Sequence, residues 1–198
     1  MDEEERIEYK HRNVKDLLTE MKDVSELIVD LAYSAIIFNS EDIGQKVKEL
    51  EKQMDRLKYE MRLTAMLAAR TVEEAEQLAG ILQVAAAAEN IANAAGDIVR
   101  LLNKSIETRP FLPFVLENAD EKIKLLTVKP ASPVVGKTVQ EVNEMEMGVR
   151  LIAIRRGKKW VYDPEESFVL SANDIIIVRG VLDGYEKLKT LMEGERNV

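Results

Sequence analysis

No proline occurs before Pro110, and up to that point the apolar residues recur in steps of three and four. Apolar or small residues fall at 14, 17, 21, 24, 28, 31, 35 and 38. The spacing resumes through Ile43, Val47, Leu50, Met54, Leu57 and Met61, and again through Ile81, Ala85, Ala88, Ala92, Ala95, Val99 and Leu102. Such spacing marks one face of an α-helix. Breaks come at residues 39–42 and 71–74. Ser40 is a good N-cap with acids in the next turn, and Thr71 with Glu74 forms a capping box. Helices of about 30 residues each span on the order of 45 Å. Short connections force neighbours to run antiparallel. The first half is therefore expected to be an antiparallel three-helix bundle over residues 1–108. Its third helix is rich in alanine, which permits close approach of neighbours. Three helices make a narrow core, so a second copy of the chain could cover an exposed face.

The pattern then changes. Thr108 to Pro113 cannot continue a helix, because two prolines remove donors and fix φ. Residues 109–120 read as an apolar docking linker carrying Phe111, Leu112, Phe114, Val115 and Leu116. Beyond it the period becomes that of strands. A strand runs through Ile123, Leu125 and Thr127. Thr138 and Glu141 form a capping box that starts a short helix to about Met145. Val149 to Ile154 is a buried strand rich in branched residues. A turn at Gly157-Lys158 leads into Lys159 to Tyr162. Ile175 to Arg179 is a further strand, and Val181 to Glu193 a terminal helix. Residues 121–198 thus form a β-α-β-β-β-α module, and the whole chain is of the α+β class.

Several function classes fall away on composition. There is no cysteine among the 198 residues, which excludes disulfides, thiolate catalysis and Cys-based zinc sites. The single histidine, His11, sits beside Arg12 and reads as a solvated surface residue, so no nucleophile–base set is evident and no enzyme activity is expected. A formal net charge of −8 speaks against nucleic-acid binding, since the only basic groupings are Arg155-Arg156 and Lys158-Lys159. The acidic start, residues 1–6, is no signal peptide. The longest apolar run, Leu31 to Phe38, is too short to cross a bilayer. A soluble, cytoplasmic protein without direct membrane insertion is the expectation.

Residues 131–138 (ASPVVGKT) fit a relaxed phosphate-loop pattern. Ala131 stands where the first glycine belongs, however, and Pro133 removes an N–H from the cradle. Asp174 precedes its strand rather than ending it, so no magnesium acid is in place. The better reading has Gly136 permitting a turn, Thr138 capping a helix and Lys137 as an exposed cation.

Two polar rows lie on the helices. Glu51 and Asp55 are four apart on the second helix, and Glu89, Asn93 and Asp97 are spaced by four on the third. Residues so spaced share a face and could offer oxygen ligands to a hard cation, or could be solvated surface, with Lys48, Lys52 and Arg56 as charge partners for Glu51 and Asp55. A ferritin-like di-iron centre requires Glu-x-x-His motifs that this chain lacks. Residues 51–57 (EKQMDRL) and 89–98 (ENIANAAGDI) resemble the motifs of the PhoU family of helical bundles, over about residues 5–108. That resemblance implies divalent metal binding at Glu51, Asp55, Glu89, Asn93 and Asp97.

The second half resembles the TrkA-C (RCK-C) regulatory module of potassium-conductance proteins, over residues 117–193. The matching motifs stand in order: residues 121–123 (EKI), 132–141 (SPVVGKTVQE), 148–157 (GVRLIAIRRG), 163–164 (DP) and 170–180 (LSANDIIIVRG). The nucleotide-binding Rossmann half of RCK proteins and its GxGxxG are absent. The resemblance implies a homodimer that regulates a membrane potassium channel or transporter. It also implies a small ligand, cyclic di-AMP or a similar nucleotide, at Leu151, Ile152, Ala153, Ile154 and Arg155. An arginine beside an apolar floor suits a phosphate with a base stacked close by; equally, the aliphatics could simply be core. The alternative function is that of a PhoU-type regulator acting by protein contact and metal binding on a signalling or other transport partner.

Overall fold

A computed structural model of the chain describes residues 12–103, 118–145 and 147–194. The expectations for the acidic start, for His11 and for most of the apolar linker lie outside these described residues. The chain divides into two compact units, Met1–Asn103 and Lys104–Val198.

The first unit holds three long helices: α1 (Val14–Ile37), α2 (Glu41–Ala68) and α3 (Val72–Arg100), followed by one 3-10 turn at Leu101–Asn103. Each packs on the other two. Asn13 caps α1, its side chain accepting from the Asp16 N–H. At the other end Asn39 takes a left-handed φ of 46°. This closes α1 and lets the Ser40 N–H reach the Ala35 carbonyl at 2.9 Å. Ser40 then caps α2 by accepting from the Ile43 N–H. The connection is therefore three residues long, and α2 must turn straight back along α1.

The expected faces are the ones that pack. Leu17, Met21, Ile28, Leu31, Val47, Met54 and Met61 are fully buried, and α3 contributes Ala85, Ala92, Ala95 and Val99. The first turns of α3 differ from the expectation. Residues 71–77 are all exposed, Val72 at 78%, and Ile81 is only half-buried. The capping box before α3 is also only half as expected. Thr71 accepts from the Glu74 N–H at 3.2 Å, but the Glu74 carboxylate takes the N–H of Arg70, one residue earlier than the box requires.

The second unit is a four-stranded antiparallel sheet in the order β1-β4-β2-β3. Its strands are β1 (Glu121–Thr127), β2 (Val149–Arg156), β3 (Lys159–Tyr162) and β4 (Ile175–Val181). Two helices complete it, α4 (Val139–Asn143) between β1 and β2, and α5 (Leu182–Glu193) after β4. The β-α-β-β-β-α order and the α+β class are as read from the sequence. Val139 and Val142 of α4 and Leu188 and Met192 of α5 pack into one cluster with Leu126, Leu151, Ile154, Ile176 and Val178. Ile152, Ala153 and Ile177 are equally buried but lie outside that cluster. A register shift between Leu151 and Ala153, against β4, changes which β2 residues share a face.

One close approach holds α5 in place. A Cβ on Gly184 would lie 1.9 Å from the Met147 carbonyl oxygen, a backbone atom that cannot rotate away. Gly184→Ala should therefore lower stability by about 1–3 kcal/mol, since the helix must shift to admit one methyl group. Urea unfolding checks this: the midpoint falls while the slope stays unchanged.

Candidate ligand site at the arginine pair

The loop before α4 settles its own chemistry. Gly136 has a φ of +85°, which glycine adopts without strain. The amides that a phosphate would need are already taken. The Val134 N–H donates to Ser132 Oγ, that of Val135 to the Ser132 carbonyl, and that of Gly136 to the Leu170 carbonyl. The Lys137 N–H donates to the Val134 carbonyl and that of Thr138 to Glu141 Oε2 at 2.7 Å. Ser132 itself is buried and donates to the Leu191 carbonyl. The Thr138–Glu141 capping box is complete, and Lys137 stands 3.8 Å from Glu141. This segment is a helix start.

The Thr138 backbone N–H holds the exposed Glu141 carboxyl below its ordinary range. A depressed folded-state pKa contributes stability above the ordinary value, and that contribution is lost as pH falls through the folded value. The wild type should therefore lose more stability than Glu141→Gln when the pH is taken from neutral to below 4.5. Thermal melts of both proteins across that range check this.

Two consecutive arginines end β2, and the fold gives them different work. Arg156 is fully engaged. Its Nε and Nη2 donate to the two oxygens of Asp174 at 2.8 and 2.7 Å, Nη2 also reaches the Val169 carbonyl, and the guanidinium lies over Phe168. Asp174 is 1% exposed and also accepts from the Ser171 N–H. The hydrogen bonds to Asp174 push the Arg156 pKa up. The forked geometry is the strong form of an arginine–carboxylate pair. Asp174→Ala should cost about 2–3 kcal/mol, because it removes charge-assisted bonds and leaves the Ser171 N–H unpaired. Chemical denaturation of the variant measures it.

Arg155 has no such partner. Its guanidinium lies 5.3 Å from the Trp160 ring centroid, and its Nε is buried without a hydrogen bond. The cross-strand register places Arg155 opposite Trp160 and Ala153 opposite Tyr162. Trp160 and Tyr162, two apart on β3, stack at 5.9 Å between ring centroids and 15° between planes. A half-buried cation thus continues an aromatic surface of two rings. Guanidinium and indole suit an anion joined to a flat, polarisable group. Leu151, Ile152, Ala153 and Ile154, the aliphatics expected to floor a site, are all buried at 3% exposure or less, and Leu151 and Ile154 belong to the cluster beneath α4 and α5. Arg155 is the member of that group with accessible surface. Trp160 and Tyr162 did not emerge as site residues from the sequence. Their spacing of two, which puts both rings on one side of a strand, is the signal that could have found them.

Three of the carboxylates in the polar rows, Glu51, Glu89 and Asp97, are brought against cations. Glu89 pairs with Lys58 across from α2, Asp97 pairs with Arg100, and Arg100 also lies 3.6 Å from Glu51. Glu51 packs against Gly96, whose missing Cβ leaves it room. Asp55 and Asn93 are exposed. The partner of Glu51 is thus not Lys48, Lys52 or Arg56, its neighbours along α2, but Arg100, reached across the helix interface. No group of three or more carboxylate or histidine side chains close enough to hold a metal ion occurs among the described residues.

Comparison with family models matches residues 18–102 to the PhoU domain and residues 123–193 to the TrkA-C domain. The chain is a PhoU domain followed by a TrkA-C domain. Both are regulatory domain types. A comparison with curated proteins finds no match. Among solved structures, the RCK_C domain dimer of S. agalactiae BusR in complex with c-di-AMP is 25% identical, covering 36% of this chain and 95% of that one with a TM-score of 0.33. S. agalactiae BusR in complex with its busAB-promotor DNA is 14% identical over 93% of this chain and 98% of that one, with a TM-score of 0.34. The GsuK channel bound to NAD is 18% identical over 58% of this chain and 21% of that one, also at 0.34. Scores of this size carry no geometry from those proteins to this one. No helix among the described residues is long and apolar enough to cross a membrane.

Proposed function

We propose that this PhoU–TrkA-C protein is a regulator of potassium transport that senses a nucleotide ligand through its TrkA-C domain. The supporting observation is the division of labour at the end of β2. Arg156 is consumed by Asp174, whereas Arg155 keeps a guanidinium free of hydrogen bonds beside the stacked Trp160 and Tyr162. A phosphate would take the guanidinium edge and a base would stack on the rings, so one ligand carrying both groups satisfies the whole arrangement. A cyclic dinucleotide such as cyclic di-AMP has that chemistry. The TrkA-C domain acts as a homodimer in this reading. The ligand shifts the geometry of the pair because it binds one arrangement better than the other, and a membrane channel or transporter responds to the shift.

Calorimetric titration of the full chain with cyclic di-AMP tests the reading. Binding is expected in the wild type, with affinity at least about tenfold weaker in Arg155→Ala and, for the loss of one stacked base, roughly 5- to 100-fold weaker in Trp160→Ala. Arg150→Ala, whose side chain pairs with Asp163 on the surface, should bind as the wild type does. Absence of heat at high micromolar ligand with folded protein, or equal binding by Arg155→Ala, overturns it.

A further inference from the structure

We propose that the outer face of α3 is an antiparallel interface with a second copy of this chain. This stands apart from the ligand reading and concerns the PhoU domain alone.

The packed stripe of α3 runs through Ala85, Ala88, Ala92, Ala95 and Val99. Beside it runs a second apolar stripe with the same spacing: Gly80, Val84, Ala87, Ile91, Ala94 and Ile98. Its members are exposed except Ile98, which is half-buried, and Val84 and Ile91 reach 55% and 43% exposure. From Gln77 to Gly96 every exposed residue of α3 is uncharged, although 32% of the chain is charged. The one acid in that span, Glu89, is turned toward Lys58. A helix face about 30 Å long without an exposed charge is what the centre of a protein interface requires.

The stripe also specifies its occupant. Large and small residues alternate along it, and alternation complements itself when a second copy runs the other way. Val84 then meets Ala94, Ala87 meets Ile91 and Gly80 meets Ile98, a large side chain against a small one at each level. A parallel copy in register would set Ile91 on Ile91 and leave Ala87 facing Ala87. Charge agrees with the antiparallel choice. Two acids at the start of α3, Glu73 and Glu76, continue the line of this stripe. Running antiparallel carries them past the uncharged far end of the stripe, whereas running parallel stacks them on their own copies. The helix dipoles likewise oppose one another in the antiparallel pair.

The chain has no native cysteine, so single cysteines report geometry directly. Val84→Cys and Ala94→Cys proteins, each of full length and each with an unchanged helical spectrum, are mixed and oxidised with diamide. The mixture is expected to form a disulfide-linked dimer joining one of each. Either variant alone is expected to stay unlinked, since equivalent residues lie about 15 Å apart along an antiparallel pair, beyond disulfide reach. Adding Ile91→Glu to both should abolish the mixed link while leaving each protein folded. Absence of the mixed link in the absence of Ile91→Glu, or linking of either variant with itself in place of the mixed product, overturns the proposal. The readout is specific to α3, so association through the TrkA-C domain leaves it unaffected.

Discussion

At the head of β4 the Asp174 carboxylate is 1% exposed and accepts three hydrogen bonds, two from the Arg156 guanidinium and one from the Ser171 N–H. Its own carbonyl accepts from the Val128 N–H just past the end of β1. A carboxylate so enclosed is tolerated only when it is hydrogen-bonded, and here both oxygens are. The group thereby joins the ends of β1 and β2 to the start of the central strand between them. It also decides the fate of the neighbouring arginine. Consecutive residues on a strand project to opposite sides, so the clamp that holds Arg156 turns Arg155 toward Trp160.

The parts of this fold that depend on local spacing were legible in the sequence. Helix periodicity located α1, α2 and α3, and the Ser40 and Thr138 caps stand where their side chains predict. The Thr71–Glu74 box was only half legible, because a flexible glutamate can choose between two adjacent N–H groups and took that of Arg70. Legibility failed where the answer lies in a tertiary partner. Arg155 and Arg156 are identical and adjacent, and only the position of Asp174, 18 residues on from Arg156, separates their roles. The register shift between Leu151 and Ala153 is likewise invisible in a run of aliphatics.

The two apolar stripes of α3 make the same point at larger scale. The reading through Ala85, Ala88, Ala92, Ala95 and Val99 found the packed face correctly, yet the stripe one residue earlier fits a helical period equally well. Periodicity identifies a helix with apolar sides; it does not say how many sides are covered. The acidic rows behaved similarly. Their spacing put carboxylates on shared faces, but the partners of Glu51, Glu89 and Asp97 come from Arg100 and Lys58, and a helical wheel of one element cannot show them all.

Among the described residues the sheet of the TrkA-C domain ends at β3 on one side and at β1 on the other, and both margins are poorly suited to growth by strand addition. At one margin β3 has four residues and opens on Lys159, directly after Lys158. At the other, β1 carries Lys122 and Lys124 within its seven residues. Short length and lysine are the ordinary means by which a sheet margin resists pairing with a stray chain. The domain is thus guarded against cross-β association along the rows of backbone donors where an open sheet is most exposed to it.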